Sequence, residues 1–382
     1  MKKGLSLLSI LTGFSLILTG CARSGQTSPS SSSSSIPSQT SPADGSQSEI
    51  SKSTEDAILL GDSIIELEPD LSAVRFDGDY GFDAFLEQGG AASDGEVVRY
   101  LAENFIGDLG LDFLGNLFGC STVAVESPDG DALFGRNFDW NHCDAMIVEA
   151  HPENGYASFS TVNMDFITHS ATGPVAAVLN LDQVRTLAAL YAPLDGMNSK
   201  GLAVSVNMIQ DSATINQNTG KPGITTTTAV RLLLDKAANV EEALELLRQY
   251  DLHASMGYMI HFALADADRR SVVVEYIGNE MSVIESPVLT NFYLTPGEKY
   301  GIGTSQSHTR YEILTDLLAE NATLSEDGVR DALSSVSKGN FGEFESTEWS
   351  IVMNLTDRTV RYFHRENYDN GYFFALEGGK TE

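Results

Sequence analysis

Gly119-Cys120-Ser121-Thr122-Val123-Ala124-Val125-Glu126-Ser127, followed by Pro128-Asp129-Gly130-Asp131 and Ala132-Leu133-Phe134-Gly135-Arg136-Asn137-Phe138-Asp139-Trp140, is the stretch on which the fold turns. Pro-Asp-Gly-Asp is turn chemistry, and the β-rich runs on either side read as two strands of a hairpin. A cysteine opens the first strand, directly after a glycine. Upstream, residues 96–118 place Val97, Val98, Leu101, Phe105, Ile106, Leu109, Leu111 and Phe113 mostly at three- and four-residue steps. That spacing predicts a helix, interrupted at Gly107 and Gly110.

Further strands are expected over 156–162, over 202–209 after the turn-like Asp195-Gly196-Met197-Asn198, and in the pairs 260–265/271–277 and 350–355/359–364. Between them, residues 226–236 form one apolar-faced helix. Asn239 caps the next, with Glu242 as its capping-box partner and an end near Tyr250. Helices over 309–320 and 325–335 complete the set. Hairpin strands in two groups, with helices clustered between, argue for an α+β fold rather than alternating βαβ units.

The chain ends carry other information. Lys2 and Lys3 precede an apolar run, Leu5 to Leu18, with the layout of an export signal and too short for a comfortable membrane span. It closes in Leu18-Thr19-Gly20-Cys21, which resembles the bacterial lipobox. The resemblance implies a signal peptide over 1–20 and lipid on Cys21. The chain would then be held at the outer face of the bacterial cytoplasmic membrane. Residues 21–54 are Ser-rich and nearly free of apolar side chains, so a flexible tether is expected there. The formal net charge is −30, and −32 once Lys2 and Lys3 leave with the leader, which argues against a nucleic-acid partner. Besides Cys21 the cysteines are Cys120 and Cys143, too few for a disulfide framework though able to pair with each other. The seven histidines show no metal-ligand spacing. Neither metal nor cofactor is expected.

Cys120, Arg136 sixteen residues on and Asp139 nineteen on resemble the pattern of the choloylglycine hydrolase family, the linear amide C–N hydrolases among the N-terminal-nucleophile (Ntn) enzymes. Further matches follow in family order: Asp195–Leu202, Val206-Asn207, Val288-Leu289-Thr290-Asn291, and Gly301-Ile302-Gly303 leading to Arg310. The resemblance covers Cys120 to the C-terminus. It implies a four-layer αββα sandwich with two antiparallel sheets and hydrolysis of a small N-acyl amide. Cleavage before Cys120 would expose that residue's α-amine.

The chemistry is self-consistent. An amide is a poor electrophile and its leaving amine needs a proton. A thiolate is a strong nucleophile, and an α-amine of pKa about 7.7–8.0 serves as base near neutrality. By the resemblance, Asp139 orients the amine, while Arg136 and Arg310 favour thiolate. Asn291 (side-chain amide) and Asn207 (backbone N–H) form an oxyanion hole. Arg136 and Asp139 are an odd number apart, so a straight strand aims them at opposite faces. A bulge or strand end near Phe138 is expected to turn both inward. Phe138, Trp140, Phe166, Met208, Phe292 and Tyr293 are candidates for an acyl pocket and equally for ordinary core.

Residues 55–119 form a long lead-in before the catalytic segment 120–382. Their apolar helix would be costly to leave in water, so the lead-in is expected to stay packed after cleavage at Cys120. A competing reading, a solute-binding lipoprotein, shares the leader and tether but would need alternating βαβ units. An inactive, uncut relative is a third.

Overall fold

The computed structural model describes residues 56–106, 119–168, 181–341 and 345–376. The leader, Cys21, the tether and the distal part of the 96–118 helix (107–118) lie outside them. Residues 54–382 form one compact unit. Its strands are β1 (Ile65–Glu68), β2 (Leu71–Asp77), β3 (Gly119–Glu126), β4 (Ala132–Trp140), β5 (Ala145–His151), β6 (Ser158–Asn163), β7 (Asp195–Asn198), β8 (Ala203–Met208), β9 (Gly223–Thr225), β10 (Asp251–His253), β11 (Ile260–Ala265), β12 (Ser271–Ile277), β13 (Glu280–Glu285), β14 (Val288–Leu289), β15 (Ser346–Asn354), β16 (Thr359–His364) and β17 (Tyr372–Ala375).

A large sheet runs β1-β2-β5-β6-β7-β8-β11-β12-β13 and a small one β14-β3-β4-β15-β16-β17. Within them only β2–β5 is parallel; the short β9–β10 pair stands apart. Three apolar layers separate four layers of structure. One packs Val74, Val148, Val204 and Phe262 of the large sheet against Leu233 and Leu244 of the helices Thr226–Lys236 and Val240–Leu247. The middle layer joins the sheets through Ala73, Ile147, Met197 and Ala263 on one side and Phe134, Phe138, Trp349 and Ile351 on the other. The third sets Val123, Leu133 and Val352 of the small sheet against Leu314 and Leu333 of the helices Ser305–Glu320 and Glu326–Ser335. Neighbours such as Ala73 and Val74 enter different layers, as the two-residue period of a strand requires. This is the αββα sandwich.

Local signals were strong where they were read correctly. Thr225 caps the helix Thr226–Lys236 through a reciprocal bond with Thr228. Asn239 accepts from the Glu242 N–H as expected, although the Glu242 carboxylate reaches back to the Ala238 N–H instead. Two expectations need correction. Asp195–Asn198 is a strand, β7, held between β6 and β8; tertiary pairing overrides its turn-like composition. The 96–118 helix starts at Asp94 and is α-helical only to Leu101, then widens to a π-helix over Ala102–Ile106.

The lead-in is part of the sandwich. β2 pairs with β5 over seven residues. Phe82, Phe85, Val97, Tyr100 and Leu101 enter the same core as Leu233 and Leu244. Buried Tyr80 bonds Asp235, which itself pairs with Arg231 at 2.7 Å. Arg365 reaches Asp70 at 3.0 Å.

Candidate active site

Cys120 lies at the start of β3, directly opposite Phe138 of β4. Its sulfur faces the middle layer and is 1 % exposed. Arg136 extends from β4 across that layer, with Nη2 3.8 Å from Cys120 Sγ. The same guanidinium bonds Asp195 Oδ2 at 2.5 Å, Asn207 Oδ1 at 3.0 Å, and the Ser205 hydroxyl. Trp349 Nε1 adds a bond to Asp195 at 2.9 Å. A cation beside the sulfur is thus held by a carboxylate from the opposite sheet.

Asp139 lies on the other face of β4. The expected inward turn does not occur: β4 alternates regularly, and the irregularity near Phe138 is in its neighbour β15, between Thr347 and Trp349. Asp139 therefore looks toward the helix layer, where it meets Thr347 Oγ1 at 2.7 Å, Arg310 Nη1 at 3.1 Å and Lys338 Nζ at 3.4 Å. It reaches the cysteine by the main chain, because Gly119 is its partner in the ladder. A Cβ built on Gly119 would collide with the Glu345 carboxylate and the Lys338 ammonium, and would stand 2.7 Å from Asp139 Oδ2. An added methyl would have to displace the ends of those two side chains.

The nitrogen of Cys120 is fixed as well. Its N–H donates to Asn291 Oδ1 at 2.8 Å. That oxygen also accepts from Arg310 Nη2 at 2.8 Å, and Asn291 Nδ2 donates to the Met208 carbonyl at 2.7 Å. Arg310, on the helix Ser305–Glu320, is buried rather than solvated. It donates to the Cys120 carbonyl at 3.0 Å and to Ser121 Oγ at 2.7 Å. Cys120, Arg136, Asp139, Asn207, Asn291 and Arg310 are thus joined in one hydrogen-bonded cluster drawn from both sheets and one helix.

Burial pushes the Cys120 thiol above its ordinary pKa. Arg136 pulls it down, Asp139 works against that pull through its charge, and Arg310 assists Arg136. With Gly119 and Cys120 joined, these effects together favour the thiol over the thiolate. Burial likewise raises Asp195 despite Arg136 beside it, and raises Cys143 far more, helped by the charge of Glu348. Both cysteines are free thiols. His142 is engaged with Asp165 at 2.8 Å.

Of the pocket candidates, Phe138, Trp140, Phe166, Met208 and Phe292 share the middle layer with Cys120. Phe138 stacks on Trp349 with centroids 3.9 Å apart, and Trp140 meets Phe166 edge-on at 4.9 Å. Tyr293 belongs to the core on the far side of the large sheet and bonds Asp211. Sequence reasoning missed Asp195, Ser205, Lys338, Glu345 and Thr347. Asp195 and Ser205 carried a usable signal: polar side chains in strands that are otherwise buried. Among the described residues no group of three or more His, Cys, Asp or Glu is placed to hold a metal ion.

Two antiparallel-rich sheets between helix layers, with a cysteine heading a small-sheet strand, define the fold of the Ntn hydrolases. Crystal structures of two variants of the conjugated bile acid hydrolase from Clostridium perfringens share that fold. One matches with a TM-score of 0.50 at 18 % identity, covering 68 % of this chain and 93 % of that chain. The other matches with a TM-score of 0.50 at 17 % identity, covering 68 % and 94 %. Residues 120–296 match the model of the linear amide C–N hydrolases, choloylglycine hydrolase family. A curated relative, the bile salt hydrolase/transferase of Clostridium perfringens (strain 13 / Type A), is 29 % identical over 182 residues, which is 45 % of this chain and 53 % of that protein. The match thus spans about half the relative's length.

Proposed function

We propose that the protein hydrolyses a linear amide C–N bond in an N-acyl substrate, using Cys120 as a nucleophile freed by cleavage of its own chain. The observation that carries this reading is the double grip on Cys120: Arg136 on the sulfur, and Asn291 with Arg310 around the nitrogen. A cysteine that merely fills a core has no need of both.

Activation comes first. Cys120 Sγ attacks the Gly119 carbonyl carbon, the Gly119–Cys120 C–N bond breaks, and the thiol proton ends on the departing Cys120 nitrogen. Water then hydrolyses the thioester, leaving a Gly119 carboxylate and a free thiol. The new α-amine lies beside Asp139 and Asn291, which orient it. In turnover that amine takes the thiol proton, and Arg136 stabilises the resulting thiolate. The thiolate attacks the substrate carbonyl, and the amine returns the proton to the leaving amine. A second attack by water releases the acid. Asn291 Nδ2 and the Asn207 backbone N–H are the oxyanion donors, and losing one such donor typically costs about 3–4 kcal/mol of barrier. Freeing Asn291 Nδ2 from the Met208 carbonyl belongs to the activation step.

Conjugated bile salts, penicillin V and N-acyl amines or amino acids are the substrate classes, with the acyl group against the Phe138–Trp140–Phe166 aromatic wall. The lead-in remains as a small subunit through β2 and the Tyr80–Asp235 bond. Lipid on Cys21 and the tether would hold the enzyme at the outer face of the cytoplasmic membrane. The test is the mass and N-terminal sequence of the purified protein, with turnover of a glycine-conjugated bile salt and penicillin V. Two fragments, the larger beginning at Cys120, and loss of turnover in Cys120→Ala are expected. A single uncut chain without turnover would refute the reading.

A further inference from the structure

Across three neighbouring strands of the large sheet, Asn207 on β8, His261 on β11 and Glu275 on β12 make one polar row. Asn207 and His261 are direct ladder partners. The Phe262–Val274 pairing puts Glu275 beside His261. Their chain neighbours Val206, Phe262 and Val274 enter the outer core. The row therefore looks toward the small sheet, where Asn207 meets Arg136.

His261 and Glu275 are wholly buried, and their bonds outside the pair end on one short segment. His261 Nε2 lies 2.9 Å from the Thr290 carbonyl, which also accepts from Asn207 Nδ2 at 3.3 Å. The Glu275 carboxylate accepts the Leu294 and Thr295 N–H groups, each at 2.8 Å. His261 Nδ1 stands 3.1 Å from Glu275 Oε1. Residues 290–295 are thus clamped at both ends. Between the clamps is Asn291, whose Oδ1 receives the Cys120 N–H.

The ring's two nitrogens link the Thr290 carbonyl to the Glu275 carboxylate. Burial pushes the Glu275 carboxyl up, but His261, the Thr295 side chain and the Leu294 amide outweigh that and hold it below its usual range. A buried polar pair is a poor source of stability compared with apolar packing, so its use here calls for a positional role.

We propose that His261 and Glu275 are positioning residues of the Cys120 site, a buried hydrogen-bonded pair that fixes the 290–295 segment and so aims Asn291 at the Cys120 nitrogen. This deepens the hydrolase reading and rests on it. His261→Gln keeps a donor near the Thr290 carbonyl but breaks the link to Glu275; Glu275→Gln keeps the shape and removes the charge.

The experiment uses the full-length protein, with three readouts: cleavage at Gly119 by mass, kcat and KM on penicillin V and a glycine-conjugated bile salt, and the 15N spectrum of the His261 ring. Each variant is expected to lower kcat about 10- to 100-fold, the loss of one or two charge-assisted bonds, with KM within about twofold. The wild-type ring is expected to give the 15N shifts of an imidazole hydrogen-bonded at both nitrogens. Folded variants with unchanged kcat and cleavage would overturn the proposal, as would a His261 ring with a free nitrogen. A wild-type chain that neither cleaves nor turns over would sink the hydrolase reading instead. The ring spectrum, which needs no variant and no turnover, would then decide whether the His261–Glu275 pair exists.

Discussion

Arg136 and Asp139 stand three residues apart on one strand and point to opposite faces of the small sheet, Arg136 to the Cys120 sulfur and Asp139 to the neighbourhood of Gly119 just before it. The sheet itself lies between them. Arg136 approaches the sulfur from the inter-sheet side, and Asp139 approaches the peptide end from the helix side. One strand thus places a cation beside the sulfur on one face and a carboxylate beside the Gly119–Cys120 junction on the other.

Arg136 and Asp195 form an ion pair buried from solvent on both sides. Arg136→Leu leaves a carboxylate stranded in the middle layer, so the fold is expected to lose about 3–5 kcal/mol. Adding Asp195→Asn should recover most of that stability without restoring turnover. Urea unfolding beside an activity assay reads both. Recovery of activity with stability would mean that the arginine is structural only.

Gly119→Ala places a methyl group against Glu345 and Lys338. Overpacking of this kind costs about 1–3 kcal/mol, and the displaced carboxylate would disturb the junction to be cut. The expected outcome is a folded but slowly processed chain, followed by the appearance of the Cys120-initiated fragment over time. Wild-type processing of the variant would show that the Glu345–Lys338 wall is dispensable.

The Cys120 thiol is raised by burial while the chain is uncut. Its folded state therefore favours the protonated form, and thiolate appears only above the ordinary thiol pKa of about 8.5. In a partly processed preparation at pH 7, iodoacetamide should label Cys120 in the cut molecules and leave it unlabelled in the uncut ones. Labelling of uncut molecules should grow as pH passes 9. Cys143, held higher still, should stay unlabelled in both. Peptide mass mapping separates the cases.

Tyr80 ties the lead-in to the Arg231–Asp235 pair. Tyr80→Phe removes one donor from a buried carboxylate and should cost about 1–3 kcal/mol. After processing, the lead-in fragment and the catalytic fragment should co-elute in gel filtration and separate only in denaturant. Separation under native conditions would contradict the retained small subunit.

Much of this was legible beforehand. β4, β11, β12, β16 and the helix Thr226–Lys236 fall where hydrophobic period and turn residues put them, because both are local signals. Cys120, Arg136, Asp139, Asn207, Asn291 and Arg310 stood out through spacing and resemblance, and the fold brings all six together. β7 was misread because Asp-Gly-Met-Asn has turn composition, and its strand conformation comes from two flanking strands far away in sequence. β1, at the edge of the large sheet, and β2, beside it, went unread because short strands show little of their own pattern until they pair, and β2 pairs with β5 far along the chain.

By itself the sequence determined most of the helices and hairpin strands, that the body is α+β, and which side chains were available for chemistry. Only the tertiary structure decided that Asp139 stands behind the sheet beside Gly119, that Asp195 anchors Arg136, and that His261 and Glu275 bond both ends of the segment bearing Asn291. The reason is physical. Hydrophobic period and capping act over a few residues, whereas a buried charge takes its partner from whatever the packing of two sheets brings within about 3 Å, and no local pattern encodes that meeting.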